Sequence, residues 1–151
     1  MNWNHNLVLK NRILLLKFLE EFSLDQLNTV PKGYRNSMFW NVAHTIVTQQ
    51  LLVYGLSNVP MLIDPNLVKT YRKDTKTVHE ATQEELALIK TLLFSTVEQT
   101  KIDYENEVFK NYSPYTTSLN VTLSTVDEAI HFNAFHEGIH LGYILAMKNS
   151  L

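Results

Sequence analysis

Apolar residues recur at steps of three and four over four separate stretches of the chain. From residue 4 to about 23, Leu7, Ile13, Leu14, Leu16, Phe18, Leu19 and Phe22 make a wide apolar face, with Lys10, Arg12, Lys17, Glu20 and Glu21 mostly off it. A second face begins at Asn36 or Ser37, either of which can cap a helix, and runs to about Leu56 through Trp40, His44, Val47, Leu51 and Tyr54. Thr82-Gln83-Glu84-Glu85 is a capping box that opens a third helix, continuing to about Tyr104 with Leu86, Ile89, Leu93 and Val97 inward. Thr125-Val126-Asp127-Glu128 is a second box, opening a last helix that ends near Met147. Four amphipathic helices predict an all-α fold, and a four-helix bundle is the default way to bury four such faces.

The connections differ in length. Residues 25–35 break the first helix with Pro31 and Gly33. Residues 57–81 carry Pro60 and Pro65, and a connection of about 20 residues lets the chain cross to a parallel neighbour, where an antiparallel one needs only a short turn. His79 lies here and is expected to be solvated. Residues 105–123 are irregular, rich in Tyr, Ser, Thr and Asn. Leu119, Val121 and Leu123 alternate with Asn120 and Thr122, enough for a short extended piece, but one strand builds no sheet. With no repeat and no interdomain linker, residues 1–151 are expected to form a single domain.

Composition removes several function classes. Apolar residues make up 45% and charged residues 19%, as in a globular chain. The formal net charge is -2 and the charges are scattered, so neither nucleic acid nor an acidic binding arm is indicated. There is no cysteine, which excludes disulfides, thiolate metal ligands and a cysteine nucleophile, and suits a cytoplasmic setting. The Ile13–Leu16 run is cut by Lys17, Glu20 and Glu21, too short to span a bilayer, and no targeting segment is expected at the N-terminus.

The chemistry concentrates near the C-terminus. His136 and His140 are four residues apart, about 40° round a helix, so two imidazoles can aim at one point. Asn133, Tyr143 and Met147 share that stripe. His131 is five residues before His136, about 140° away, and is expected outside the site. His44 lies in the middle of the second helix's apolar face. A histidine there is ordinarily a core residue, but it is the strong third candidate for a site that needs one. Three neutral imidazoles leave at least one coordination position of a zinc, nickel or iron cation open, as in catalytic sites. Glu137, Asn133, Tyr143 and Thr48 are the nearest polar residues in projection. Glu137 is a candidate general base, Asn133 and Tyr143 are candidate substrate-pocket residues, and Thr48 is expected to make only ordinary helix-surface hydrogen bonds.

His136-Glu137-Gly138-Ile139-His140 also spells the zinc-protease motif H-E-x-x-H. Those enzymes take a third ligand downstream, and none of the 11 residues after His140 is His, Asp or Glu. Tyr143 and Ala146 stand where the extended motif wants Gly and His. The context argues against a protease.

The segment Asn36-Ser37-Met38-Phe39-Trp40-Asn41-Val42-Ala43-His44 resembles the start of the second helix of DinB/YfiT-like proteins. Thr125-Val126-Asp127-Glu128-Ala129-Ile130 followed by His136-Glu137-Gly138-Ile139-His140-Leu141-Gly142 looks like their last helix. The resemblance covers essentially the whole chain. It implies an up-down-down-up four-helix bundle with a crossover between the second and third helices. It further implies a divalent metal, often nickel or zinc, on the residues matching His44, His136 and His140, and a homodimer. Some members are thiol-dependent transferases or related metal-dependent hydrolases and isomerases, which implies a small-molecule substrate and a low-molecular-weight thiol as a candidate partner. The expectation is a three-histidine metalloenzyme using water or a thiol as nucleophile. The alternative is a non-catalytic bundle, with a structural metal or none, acting as a binding or stress-response module through surface residues such as Trp3, Tyr34 and Tyr71.

Overall fold

Local side-chain caps decide where the helices begin. The computed structural model describes residues 2–151, starting with α1 (Asn2–Glu21). Ser23 caps the short α2 (Leu24–Asn28), Ser37 caps α3 (Met38–Gln50), and Asp64 caps α4 (Pro65–Tyr71), with Pro65 in its first turn. The two predicted capping boxes form in full. Thr82 and Glu85 open α5 (Gln83–Glu105), and Thr125 and Glu128 open α6 (Val126–Met147).

The four long helices fall within two residues of their expected ends, with one exception. α3 stops at Gln50 and the chain continues as a single wider π turn, Leu51–Gly55, closed by Leu56 N–H to the Leu51 carbonyl at 3.1 Å. α2 and α4 lie where the periodicity reads only connections, since five and seven residues are too few to show a 3.6-residue period.

The expectation of no sheet is corrected. β1 (Tyr115–Thr116) pairs antiparallel with β2 (Thr122–Leu123), Tyr115 opposite Leu123 and Thr116 opposite Thr122. Asn120, at φ 60°, supplies the left-handed turn between them. The partner of the extended piece is thus its own preceding loop.

α1 packs against α5 and α6, and α3 packs against α6 and α5. Leu15, Leu19, Phe39, Ile46, Leu93 and Ile144 are almost wholly withdrawn from water in the resulting core. Each such side chain contributes about 1.5–3 kcal/mol relative to exposure. Every residue of α3 except Thr48 is buried, so α3 runs through the interior and its polar residues must find partners there. Gln49 donates to Thr100 Oγ1 at 2.7 Å, and Gln50 accepts from the Leu62 N–H at 2.7 Å. α6 carries polar residues inward and exposes apolar ones, with Phe135 54% exposed on its outer face. No helix among the described residues is long and apolar enough to cross a membrane.

Candidate metal centre

α3 and α6 pack side by side, and this brings the three predicted histidines together. His44, His136 and His140 each offer a ring nitrogen, and these atoms lie within 4.8 Å of one another. Two of the rings are held from behind. His44 Nδ1–H donates to the Tyr71 carbonyl at 2.7 Å. Tyr71 is the last residue of α4, so its carbonyl lacks an intrahelical partner and is free to accept. Because a carbonyl can only accept, His44 must carry its proton on Nδ1, which leaves Nε2 with a lone pair.

His140 Nδ1–H donates to Asn41 Oδ1 at 2.8 Å. The Asn41 amide is oriented in turn, since its Nδ2 donates to the Ser37 carbonyl at 2.8 Å. His140 Nε2 is then also unprotonated, and it lies 3.2 Å from His136 Nε2. Buried His136 Nδ1 has no partner, so either neutral tautomer of that ring leaves one nitrogen unsatisfied. Trp40 stacks on His44 with centroids 4.5 Å apart and planes 12° apart, and its Nε1–H is tied to Thr75 Oγ1 at 3.0 Å.

Burial sets the protonation of the cluster. It pushes His136 down to about 2, helped by neighbouring His140, His44 and Arg12, and His140 down to about 3, helped by His44. It also lowers His44, against a smaller opposing effect of the Tyr71 carbonyl. All three rings are therefore neutral at pH 7, the form that binds a cation. Converging imidazole nitrogens, two of them on rings whose far sides are hydrogen-bonded, fit zinc, nickel or iron.

A cavity of about 750 Å³ opens beside the cluster. Leu51, Leu52 and Leu56 from the π turn and its end, and Phe132, Ile139 and Met147 from α6, supply much of its wall. Arg35, Lys73, Asp74, Leu119 and Tyr143 line it while exposed to solvent, which marks the mouth.

The other predicted site residues divide. Tyr143 lines the cavity, its ring centroid 6.3 Å from that of His140. Glu137 and Asn133 are not among the lining residues. Glu137 lies about 100° round the helix from His136 and faces α1. There its Oε1 accepts from Arg12 Nε at 3.0 Å, Arg12 Nη2 at 2.6 Å and Asn133 Nδ2 at 2.9 Å. The candidate base is thus an ion-pair partner in the core, and the candidate pocket residue Asn133 is its support. Arg12, expected mostly off the apolar face, is wholly buried for the same reason.

Thr48 is closer to the chemistry than expected, with Oγ1 3.2 Å from His44 Nε2 and on the cavity wall. Asn41, not a site candidate from the sequence, carried one signal: a polar residue one turn before His44 on an otherwise apolar segment. His131 is exposed and bonds only its own helix, at the Asp127 carbonyl. His79 is exposed but sits 2.7 Å from Glu85 Oε2. Of the candidate surface contacts, Trp3 is exposed, Tyr34 lines the cavity, and Tyr71 is corrected to a core residue, 3% exposed.

No significant match to this chain is found among curated proteins. The family model of the DinB superfamily matches residues 8–144, a span that includes all three histidines. The chain belongs to the DinB superfamily.

Proposed function

We propose that the chain is a metal-dependent enzyme acting on a small molecule, of the transferase or hydrolase type, with one divalent cation held by His44, His136 and His140. One observation carries this reading: three neutral imidazoles converge within 4.8 Å beside a cavity large enough for a substrate. Bound there, zinc, nickel or iron would bring the pKa of a coordinated water or thiol toward neutrality. The protein's part is positioning. The Tyr71 carbonyl and Asn41 fix two rings, the Thr48 hydroxyl stands beside His44, and the leucine wall keeps water from the substrate's apolar part. Glu137 is engaged by Arg12, so this reading needs no carboxylate base from α6. The open cavity favours it over a non-catalytic module, for which a closed coordination sphere is expected.

The same reading places α1, α3, α5 and α6 in an up-down-down-up bundle. The long connection from Gly55 to Gln83, which carries α4, is the crossover. It also pairs the chain with a second copy through the outer face of α6. Phe135 and Leu145 are exposed there around Gly138 and Gly142, which lets another helix approach closely. Light scattering on a sizing column should give a dimer for the wild type and a monomer for Phe135→Glu. A wild-type monomer at micromolar concentration would remove the dimer and leave the metal centre standing.

The central test is metal analysis of protein purified without affinity tag or chelator. About one equivalent is expected in the wild type, and loss of it in His44→Ala with helix content retained. No metal in either protein, and no uptake when zinc, nickel or iron is added back, would overturn the proposal.

A further inference from the structure

The charges around the cavity do not match those of the molecule. The chain as a whole carries a formal charge of -2. With the histidines neutral, the only charged residues lining the cavity among the described residues are Arg35, Lys73 and Asp74. The lining is therefore formally positive by one charge, and a divalent cation on the histidines would make it more so. All three side chains are exposed, at the mouth of the cavity and not on its leucine wall. Among the described residues, neither Arg35 nor Lys73 forms an ion pair.

The mouth is also held in place. Arg35 Nη2 donates to the Asp74 carbonyl at 3.2 Å, which anchors the guanidinium while leaving its other donors free. Asp74 sits at φ 70° in a turn closed by Thr75 N–H to the Arg72 carbonyl at 3.2 Å. Thr75 Oγ1 takes the indole proton of Trp40, the residue stacked on His44. The loop that carries Lys73 is thereby tied to the helix that carries a candidate ligand. Orienting a cation in advance lowers the entropy lost when it grips an anion.

Resting on the metal-site reading above, we propose that the cavity takes an anionic amphiphile. Its negatively charged group would be held by Arg35 and Lys73 at the mouth, and its apolar body would lie against the leucine wall toward the histidines. A carboxylate or a phosphate on the natural substrate would satisfy the same two donors. A positive mouth also steers anions inward, an effect that salt screens.

The test compares three probes with the same six-carbon chain, hexane-1-sulfonate, hexan-1-ol and hexyltrimethylammonium, titrated calorimetrically into the full-length protein with and without added zinc. The sulfonate is a poor ligand for zinc, so its preference reports the mouth. It should bind about tenfold more tightly than the alcohol, the amount one charge-assisted hydrogen bond supplies. The order should be sulfonate, alcohol, ammonium. In the Arg35→Gln/Lys73→Gln variant the sulfonate should fall to the alcohol's affinity, while hexanol binding and zinc content stay unchanged. Both residues are exposed, so the variant should fold.

Equal binding of sulfonate and alcohol, a preference for the ammonium, a preference that survives in the double variant, or no binding of any probe at millimolar concentration would each overturn the proposal. Metal content measured on the same samples separates the two ideas. A sulfonate preference without uptake of zinc, nickel or iron supports the mouth and sinks the metal site, and metal uptake without the preference does the reverse.

Discussion

Arg12 and Glu137 meet where neither side chain is reached by water. The pair is a packing element with a high cost of disruption. Two charges in a low-dielectric interior are tolerated only because each neutralises the other, and Asn133 adds a third donor to the shared oxygen. Glu137→Ala strands the guanidinium and should lower stability by about 3–5 kcal/mol. The double replacement Arg12→Met/Glu137→Leu should recover most of that loss, because no charge is then left behind. Urea unfolding of the three proteins decides the matter. If Glu137→Ala abolished activity with an unchanged urea midpoint, the residue would belong to the chemistry after all. The sequence could not separate these roles. The spacing of His136 and His140 fixes where two rings point, whatever packs nearby. Glu137 sits between them, and its direction has meaning only once α1 is known to cover that face. Asn41 was hidden for a related reason, because its value lies in a bond to a residue ninety-nine positions away.

At the scale of elements, what could be read was what is local. Thr82 with Glu85 and Thr125 with Glu128 satisfy backbone donors within one turn, and helix starts followed from four letters each. The short helices carried the same kind of signal, a full capping box of Ser23 with Gln26 for α2 and Asp64 before Pro65 for α4. α4 matters beyond its length, since its final carbonyl orients His44. The end of α3 was not legible. The π turn takes one more residue than an α turn, and here it sets Leu51, Leu52 and Gly55 along the cavity. Nothing in the apolar spacing of residues 51–55 distinguishes that turn from one more turn of α-helix. The hairpin was half legible: the alternation showed β2, but its partner β1 is only two residues long.

For the molecule as a whole, the neutral histidine cluster ties stability to pH. An unfolded histidine titrates near 6.5, whereas His136 and His140 in the folded protein are held down at about 2 and about 3, and His44 is lowered as well. As pH falls through 6.5, the unfolded chain takes up protons that the folded cluster refuses. Unfolding is then favoured, and stability rises with pH across this window and levels off above it. Each histidine contributes at most about 1.4 kcal/mol per pH unit below 6.5. Between pH 6.5 and 5 the metal-free protein should therefore show a falling urea midpoint that is steeper than in His136→Leu. Below pH 7 the same depression favours metal uptake, because no proton has to leave the folded site first. Affinity should therefore stay nearly flat from pH 7.5 to 6, where a site of ordinary histidines would already be losing it to protons. A midpoint unchanged between pH 6.5 and 5, or zinc affinity dropping severalfold by pH 6, would mean that these rings are solvated and charged like ordinary surface histidines. The cluster could not then be the neutral, preorganised centre that the bundle builds.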